Sequence, residues 1–337
     1  MNRKYFKKEG AFALELGGEL SELEICYSTY GQLNVAKDNV IWVNHALTAN
    51  SEVDDWWAGL FGKGRLFDPS KYFIVCANNL GSPYGTTSAN SVNPDNGNRY
   101  GLNFPEFTIR DSAKVHLQLM THLNINEVFL LIGGSCGGNI ALEMAITLKE
   151  RLLNLCLVCS APKESPWSVG IHQTQRNVLQ SAPEFKLNKV NAGMQALEIA
   201  RAIALPYYRT PHSINTKQQE DHNEVIKDFK VISYLNHQGA KFSARFDAQC
   251  YFTLLNALDT HNIGRNRSSI EDVLSQLETK TLVLAIDSDL FIPSFEQKFM
   301  AAHLPNGQYE EIKSIYGHDA FLIETDQINT LVKNFLT

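Results

Sequence analysis

The chain has 337 residues, 44% hydrophobic and 20% charged, with a net charge of −6 at neutral pH. That length buries a substantial core and accommodates one large domain with an insertion. The acidic balance, with no cluster of Lys and Arg interleaved with aromatics, argues against a nucleic-acid partner. No apolar run approaches the roughly 20 residues of a membrane-spanning helix.

In chain order, the basic stretch Met1 to Lys8 reads as a solvated start, and the apolar residues after it, Ala11 to Leu14, are too few for a signal-peptide core. A cytoplasmic protein is expected. Short apolar runs predict strands at Val40 to Val43, Tyr72 to Cys76, Val128 to Ile132, Leu152 to Cys159, Thr281 to Ile286 and Gln308 to Lys313. All but the last are nearly all-apolar and therefore buried on both faces. Their alternation with helical stretches predicts an α/β protein with a mostly parallel, doubly wound sheet. The strand signal stops between about Pro162 and Glu278, where Ala192 to Ala204 and Val225 to Tyr234 read as helices. The expected organisation is a core of residues 1–161 and 279–337, with a helical insertion at 162–278. Such an insertion would cover the carboxyl ends of the strands, where sheets of this kind bind ligands.

The six cysteines are Cys26, Cys76, Cys136, Cys156, Cys159 and Cys250, too dispersed for a disulfide framework. Cys156 and Cys159 form a C-x-x-C inside an apolar strand, where their side chains would leave from opposite faces, so two buried thiols are expected rather than a redox pair. No H-E-x-x-H occurs and no histidine pairs with cysteines at zinc spacing, so neither a metal nor a resident cofactor is expected.

The hexapeptide Gly133-Gly134-Ser135-Cys136-Gly137-Gly138 follows an apolar strand and precedes the helix-forming run Ile140 to Ala145. This is the strand–turn–helix setting of an α/β-hydrolase nucleophile elbow, and its glycines remove Cβ atoms that would clash in the turn. Two frames fit, Gly133-x-Ser135-x-Gly137 and Gly134-x-Cys136-x-Gly138. Local pattern does not choose between them. In such a fold the acid follows a late strand and the histidine lies near the C-terminus. Asp287-Ser288-Asp289 follows the Thr281 to Ile286 run, and His318 follows the last strand. A strand-end carboxylate fixes the imidazole through Nδ1 and leaves Nε2 to take the nucleophile's proton. The loop Asn44-His45-Ala46-Leu47-Thr48 is the candidate for the second oxyanion donor.

These segments together resemble the homoserine O-acetyltransferase family of α/β-hydrolase-fold acyltransferases over nearly the whole chain. The resemblance rests on His45-Ala46-Leu47-Thr48, Trp56-Trp57-Ala58-Gly59-Leu60, Asn78-Asn79-Leu80-Gly81, Thr108-Ile109-Arg110-Asp111, the elbow, Ser288-Asp289-Leu290-Phe291-Ile292-Pro293 and Gly317-His318-Asp319-Ala320. In the insertion, Tyr234-Leu235, Gln238-Gly239 and Arg245-Phe246-Asp247-Ala248 are similar to the family's lid. Chain and family differ at Ala49, where glycine is common, at Cys136, where methionine is usual, and at Thr87 to Ser91.

The resemblance implies an α/β-hydrolase fold with a helical lid and a two-step acyl transfer. It selects Ser135 as nucleophile, Asp289 over Asp287 as acid, and His318 as base, with Leu47 and Cys136 N–H groups as oxyanion donors. Arg201, Tyr208 and Asp319 fall on the positions that contact the amino-acid acceptor, while Arg176 and Arg245 receive no role. Acetyl-CoA as co-substrate, L-homoserine as acceptor, a place in methionine biosynthesis and a homodimer through the lid follow from the same likeness. Succinyl transfer, serine as acceptor, and plain esterase or thioesterase activity are the alternatives on this scaffold. With Ser135 as nucleophile, Cys136 becomes a small packing residue whose thiol, at a helix N-terminus, is expected to alkylate readily.

Overall fold

A computed structural model describes residues 3–337. Its framework is an eight-stranded sheet made of β1 (Arg3–Lys8), β2 (Leu23–Tyr30), β3 (Val40–Asn44), β4 (Phe73–Ala77), β5 (Val128–Gly134), β6 (Leu152–Val158), β7 (Lys280–Ile286) and β8 (Gly307–Ile312). The spatial order is β1-β2-β4-β3-β5-β6-β7-β8. The first two pairings in that order are antiparallel and the other five are parallel. The central strands β3, β5 and β6 are buried almost throughout, as their largely apolar runs require of a sheet covered on both faces.

The two N-terminal strands depart from the expected solvated start. Arg3 to Lys8 is an edge strand paired residue for residue with Leu23 to Ser28, and its lysines and arginine point largely to solvent. Charged side chains are a common device for blunting a sheet edge, which is why the segment carries no apolar signal.

Helices α1 (Ile109–His122) and α2 (Cys136–Leu148) cover the core. Between β6 and β7 lie α3 (Pro166–Ser181), α4 (Met194–Tyr208), α5 (Lys230–Ser243) and α6 (Ala248–Asp259), followed after β7 by α7 (Ser294–His303) and α8 (Thr325–Leu336). Two helix limits differ from expectation. The helix expected to end at Ala204 runs on through Pro206 to Tyr208; an interior proline ordinarily stops a helix, so pattern reading ends it early. Val225 to Phe229 is not helical, and α5 begins at Lys230 after Phe229 in an extended conformation (φ −55°, ψ 141°).

The inserted helices share the core of the sheet. Leu179, Phe185, Leu197 and Tyr251 belong to the same buried cluster as Val40, Trp42 and Leu155. A second cluster lies on the other face and holds both Cys156 and Cys159. The expectation of opposite faces fails because Cys159 lies one residue beyond β6 with φ 50°, which turns its side chain back to the same side. All six cysteines are buried free thiols. Among the described residues no helix is long and apolar enough to cross a membrane.

Candidate active site

The parallel register brings five loops to one edge of the sheet. Asn44 is level with Gly133, Gly134 with Val158, and Ile286 with Ile312, so the segments that follow β3, β5, β6, β7 and β8 emerge side by side. Ser135, the residue after β5, has φ 55° and ψ −126°. A non-glycine residue in that region is strained by about 1–3 kcal/mol and persists only where its surroundings enforce it. Its N–H donates to the Val158 carbonyl at 2.8 Å, and its own carbonyl accepts from Gly138 N–H at 2.8 Å as α2 begins.

The flanking glycines permit the turn. A Cβ on Gly133 would lie 2.2 Å from the Gly137 carbonyl oxygen, and one on Gly137 would lie 2.1 Å from that of Asn44. Both obstacles are backbone and have no rotamer to yield. Gly137→Ala is therefore expected to lower stability by about 3 kcal/mol or more, read as a drop in the chemical-denaturation midpoint.

His318 Nε2 lies 2.8 Å from Ser135 Oγ, and Nδ1 lies 2.7 Å from Asp289 Oδ2. The second carboxylate oxygen of Asp289 accepts the N–H groups of Phe291 and Ile292 at 2.8 and 2.9 Å. Asp287, the rival acid, instead accepts the Ser314 N–H at 3.0 Å and faces Lys313 at the end of β8. Burial pushes the His318 pKa down, but the charge and hydrogen bond of Asp289, helped by Asp319 and Glu164, outweigh it and the net shift is upward. The rings of Phe291, Tyr208 and Phe321 surround the imidazole at centroid distances of 5.1, 5.8 and 5.6 Å. This arrangement has the geometry for nucleophilic attack by Ser135 with His318 as base.

Cys136 opens α2 and is 3% exposed. Burial, with the charge of Glu164, pushes its thiol up to about 12, so the expected ready alkylation is overturned. Desolvation outweighs the helix N-terminus here. Cys159, Asp289 and His318 also bring potential metal-ligand atoms within 4.8 Å of one another. His318 Nδ1 and Asp289 already bond each other, and burial holds the Cys159 thiol well above its ordinary pKa, so these groups suit a protonated, packed thiol better than an ion.

Ser135 and His318 open onto a cavity of about 470 Å³ between the sheet edge and the inserted helices, and Leu47, Arg201, Tyr208 and Asp319 line it too. Arg201 stacks its guanidinium over Tyr208 and Phe242, 5.5 and 5.4 Å from the ring centroids. Among the described residues no carboxylate pairs with Arg201, whereas the other arginines are engaged. Arg209, which sequence reasoning missed, forms an ion pair with Asp319 at 3.0 Å. Arg245 donates to the Thr48 carbonyl and the Tyr84 hydroxyl, both at 2.6 Å. Arg176 lies away from the cavity, against Asp259 at 2.6 Å. Nothing in the spacing of Arg209 or Arg245 marks them, because their partners are distant in sequence.

The fold and this site define an α/β-hydrolase, and residues 39–325 match the family model described as the alpha/beta hydrolase fold. The chain is 44% identical to a homoserine O-acetyltransferase of Cyclobacterium marinum, covering 99% of this chain and 95% of that protein. A solved homoserine O-acetyltransferase from Bacillus anthracis superposes with a TM-score of 0.91 at 26% identity, covering 100% of this chain and 98% of the other. Esterase E22 shares the fold, with a TM-score of 0.90 at 20% identity over 99% of each chain. The chain belongs to the homoserine O-acetyltransferase family and is an acyltransferase.

Proposed function

We propose that this enzyme transfers the acetyl group of acetyl-CoA to the hydroxyl of L-homoserine, giving O-acetyl-L-homoserine for methionine biosynthesis in the cytoplasm. Ser135 Oγ attacks the thioester carbonyl as His318 Nε2 takes its proton. The carbon–sulfur bond then breaks and CoA leaves with that proton. His318 next takes the proton of the acceptor hydroxyl, which attacks the acyl-Ser135, and the proton returns to Ser135 as its ester bond breaks. Leu47 and Cys136 N–H groups hold the oxyanion in both tetrahedral intermediates. Acyl-CoA is a substrate here, and the reaction draws on no resident cofactor.

The observation that carries the acceptor assignment is the pairing of opposite charges on one cavity. The guanidinium of Arg201, with no carboxylate partner among the described residues, suits an amino-acid carboxylate, and the second carboxylate oxygen of Asp319, whose Oδ2 faces Arg209, suits its ammonium, with Tyr208 on the same cavity. Exposed apolar side chains of the insertion, Ile199 on α4, Ile232 on α5 and Ile226 in the segment before α5, support a homodimer through the insertion.

The test is CoA release from acetyl-, succinyl- and propionyl-CoA, each with homoserine, serine or no acceptor. Release that requires homoserine and prefers acetyl-CoA is the expected result. Equal release without an acceptor would make the protein a thioesterase. Arg201→Ala is expected to raise KM for homoserine by about 100-fold, the worth of a lost charge-assisted pair. Acylation of Ser135 by acetyl-CoA alone should be unchanged, as single-turnover measurement would read.

A further inference from the structure

Beneath the cavity, four buried side chains form a hydrogen-bonded line that the chemistry above does not use. The Trp42 indole Nε1–H donates to His116 Nδ1 at 3.2 Å, and His116 Nε2 lies 3.0 Å from Asn79 Oδ1. The Asn79 backbone N–H donates to His45 Nε2 at 3.0 Å, and its side-chain amide donates to the His45 carbonyl at 3.1 Å. His45 Nδ1 in turn lies 2.8 Å from the Ala46 carbonyl oxygen. His45, Asn79 and His116 are each at most 1% exposed, and none lines the cavity.

The partners fix both tautomers. An indole N–H and a backbone N–H only donate, so His116 Nδ1 and His45 Nε2 must be bare nitrogens. His116 therefore carries its proton on Nε2 and gives it to Asn79, while His45 carries its proton on Nδ1 and gives it to Ala46. Burial favours the same neutral rings, pushing His45 down to about 4 and His116 to about 3.

We propose that His45, seated in this line by Asn79 and His116, is a positioning residue whose Nδ1 bond to Ala46 aims the Leu47 N–H at the oxyanion. The link is the planar trans peptide between Ala46 and Leu47, in which C=O and N–H point opposite ways. His45 at 2.8 Å and the Ala49 N–H at 3.0 Å pin the Ala46 carbonyl, and so fix the direction of the Leu47 N–H across the same plane. Pre-aimed donors stabilise charge in the transition state without reorganising. The inference rests on Leu47 as an oxyanion donor, and its test separates the two ideas.

The pair His45→Gln and His45→Asn discriminates, because a glutamine carbonyl replaces the Nε2 acceptor whereas an asparagine amide replaces the Nδ1 donor. With p-nitrophenyl acetate as acyl donor, His45→Gln is expected to slow acylation of Ser135 by about tenfold to a hundredfold with KM nearly unchanged. His45→Asn should retain most of the rate. Equal losses in the two variants, or losses confined to KM or to melting temperature, would overturn the relay. A wild-type enzyme that p-nitrophenyl acetate does not acylate would overturn the reading of the site beneath it. Nitrogen-15 spectra of the histidines in the native enzyme at pH 7 provide an arm that needs no variant to fold. Neutral His45 protonated on Nδ1 and neutral His116 protonated on Nε2 are expected, and the opposite tautomers or a charged ring would sink the proposal.

Discussion

Ser135→Ala should abolish formation of the acyl-enzyme, lowering kcat by about 10⁴- to 10⁶-fold, while Cys136→Ala keeps most of the activity. The expected loss follows from removing the oxygen 2.8 Å from His318 Nε2, since triad members act as a unit and the remaining oxyanion donors retain only a residual rate. Intact-protein mass spectrometry after mixing with acetyl-CoA would show one added acetyl group on the wild type and on Cys136→Ala, and none on Ser135→Ala. The structural contrast is sharp. Ser135 occupies the strained turn with φ 55°, whereas Cys136 is the first residue of α2, with a buried thiol held up at about 12. The reverse result, acylation that survives loss of the serine and fails with loss of the cysteine, would make this a cysteine acyltransferase.

Asp289→Asn should lower kcat by about 10⁴-fold, because an asparagine amide at the position of Oδ2 leaves His318 in the wrong tautomer to receive the serine proton. The same substitution has a second readout. His318 must be neutral to act as base, so activity falls as pH drops through its pKa, which lies above the ordinary histidine value. Removing the Asp289 charge takes away the principal opposition to burial, so the acid limb of the residual activity should shift to lower pH. A pH–rate profile whose acid limb stays in place would mean that Asp289 does not set the titration of His318.

Much of the sheet was legible because the central parallel strands, buried on both faces, are nearly all-apolar runs: Val40 to Asn44, Val128 to Gly134 and Lys280 to Ile286 differ from the expected strands by one or two residues at an end. The N-terminal edge strand was not, since a charged strand with one face in water has no such run. The elbow was visible as a motif whose two frames were alike in local pattern, so the choice of Ser135 came from the resemblance; in the structure backbone torsion sets Ser135 apart from Cys136. Asp287 and Asp289 both follow β7 and are alike in local pattern, so the choice of Asp289 came from the resemblance alone; in the structure Asp289 faces His318 and Asp287 faces Ser314. The cation arrangement of the cavity was less legible still. Arg201, Arg209 and Arg245 all lie in the insertion, but their engagements differ: Arg201 stacks on Tyr208 of its own helix and on Phe242, while Arg209 and Arg245 meet a carboxylate and a carbonyl from distant parts of the chain.

The hydrophobic cluster shared by the inserted helices and the sheet bears on how this enzyme can diversify. Reactive groups sit on the sheet edge, while Arg201 and Tyr208 sit on α4, whose Leu197 and Ala200 are part of the same core as Trp42 and Leu155. The insertion is therefore no exchangeable cartridge. A lineage that retunes its choice of acceptor by reshaping α4 perturbs packing that also supports the sheet, so changes of specificity draw on the same few kcal/mol of folding stability that keep the whole chain native.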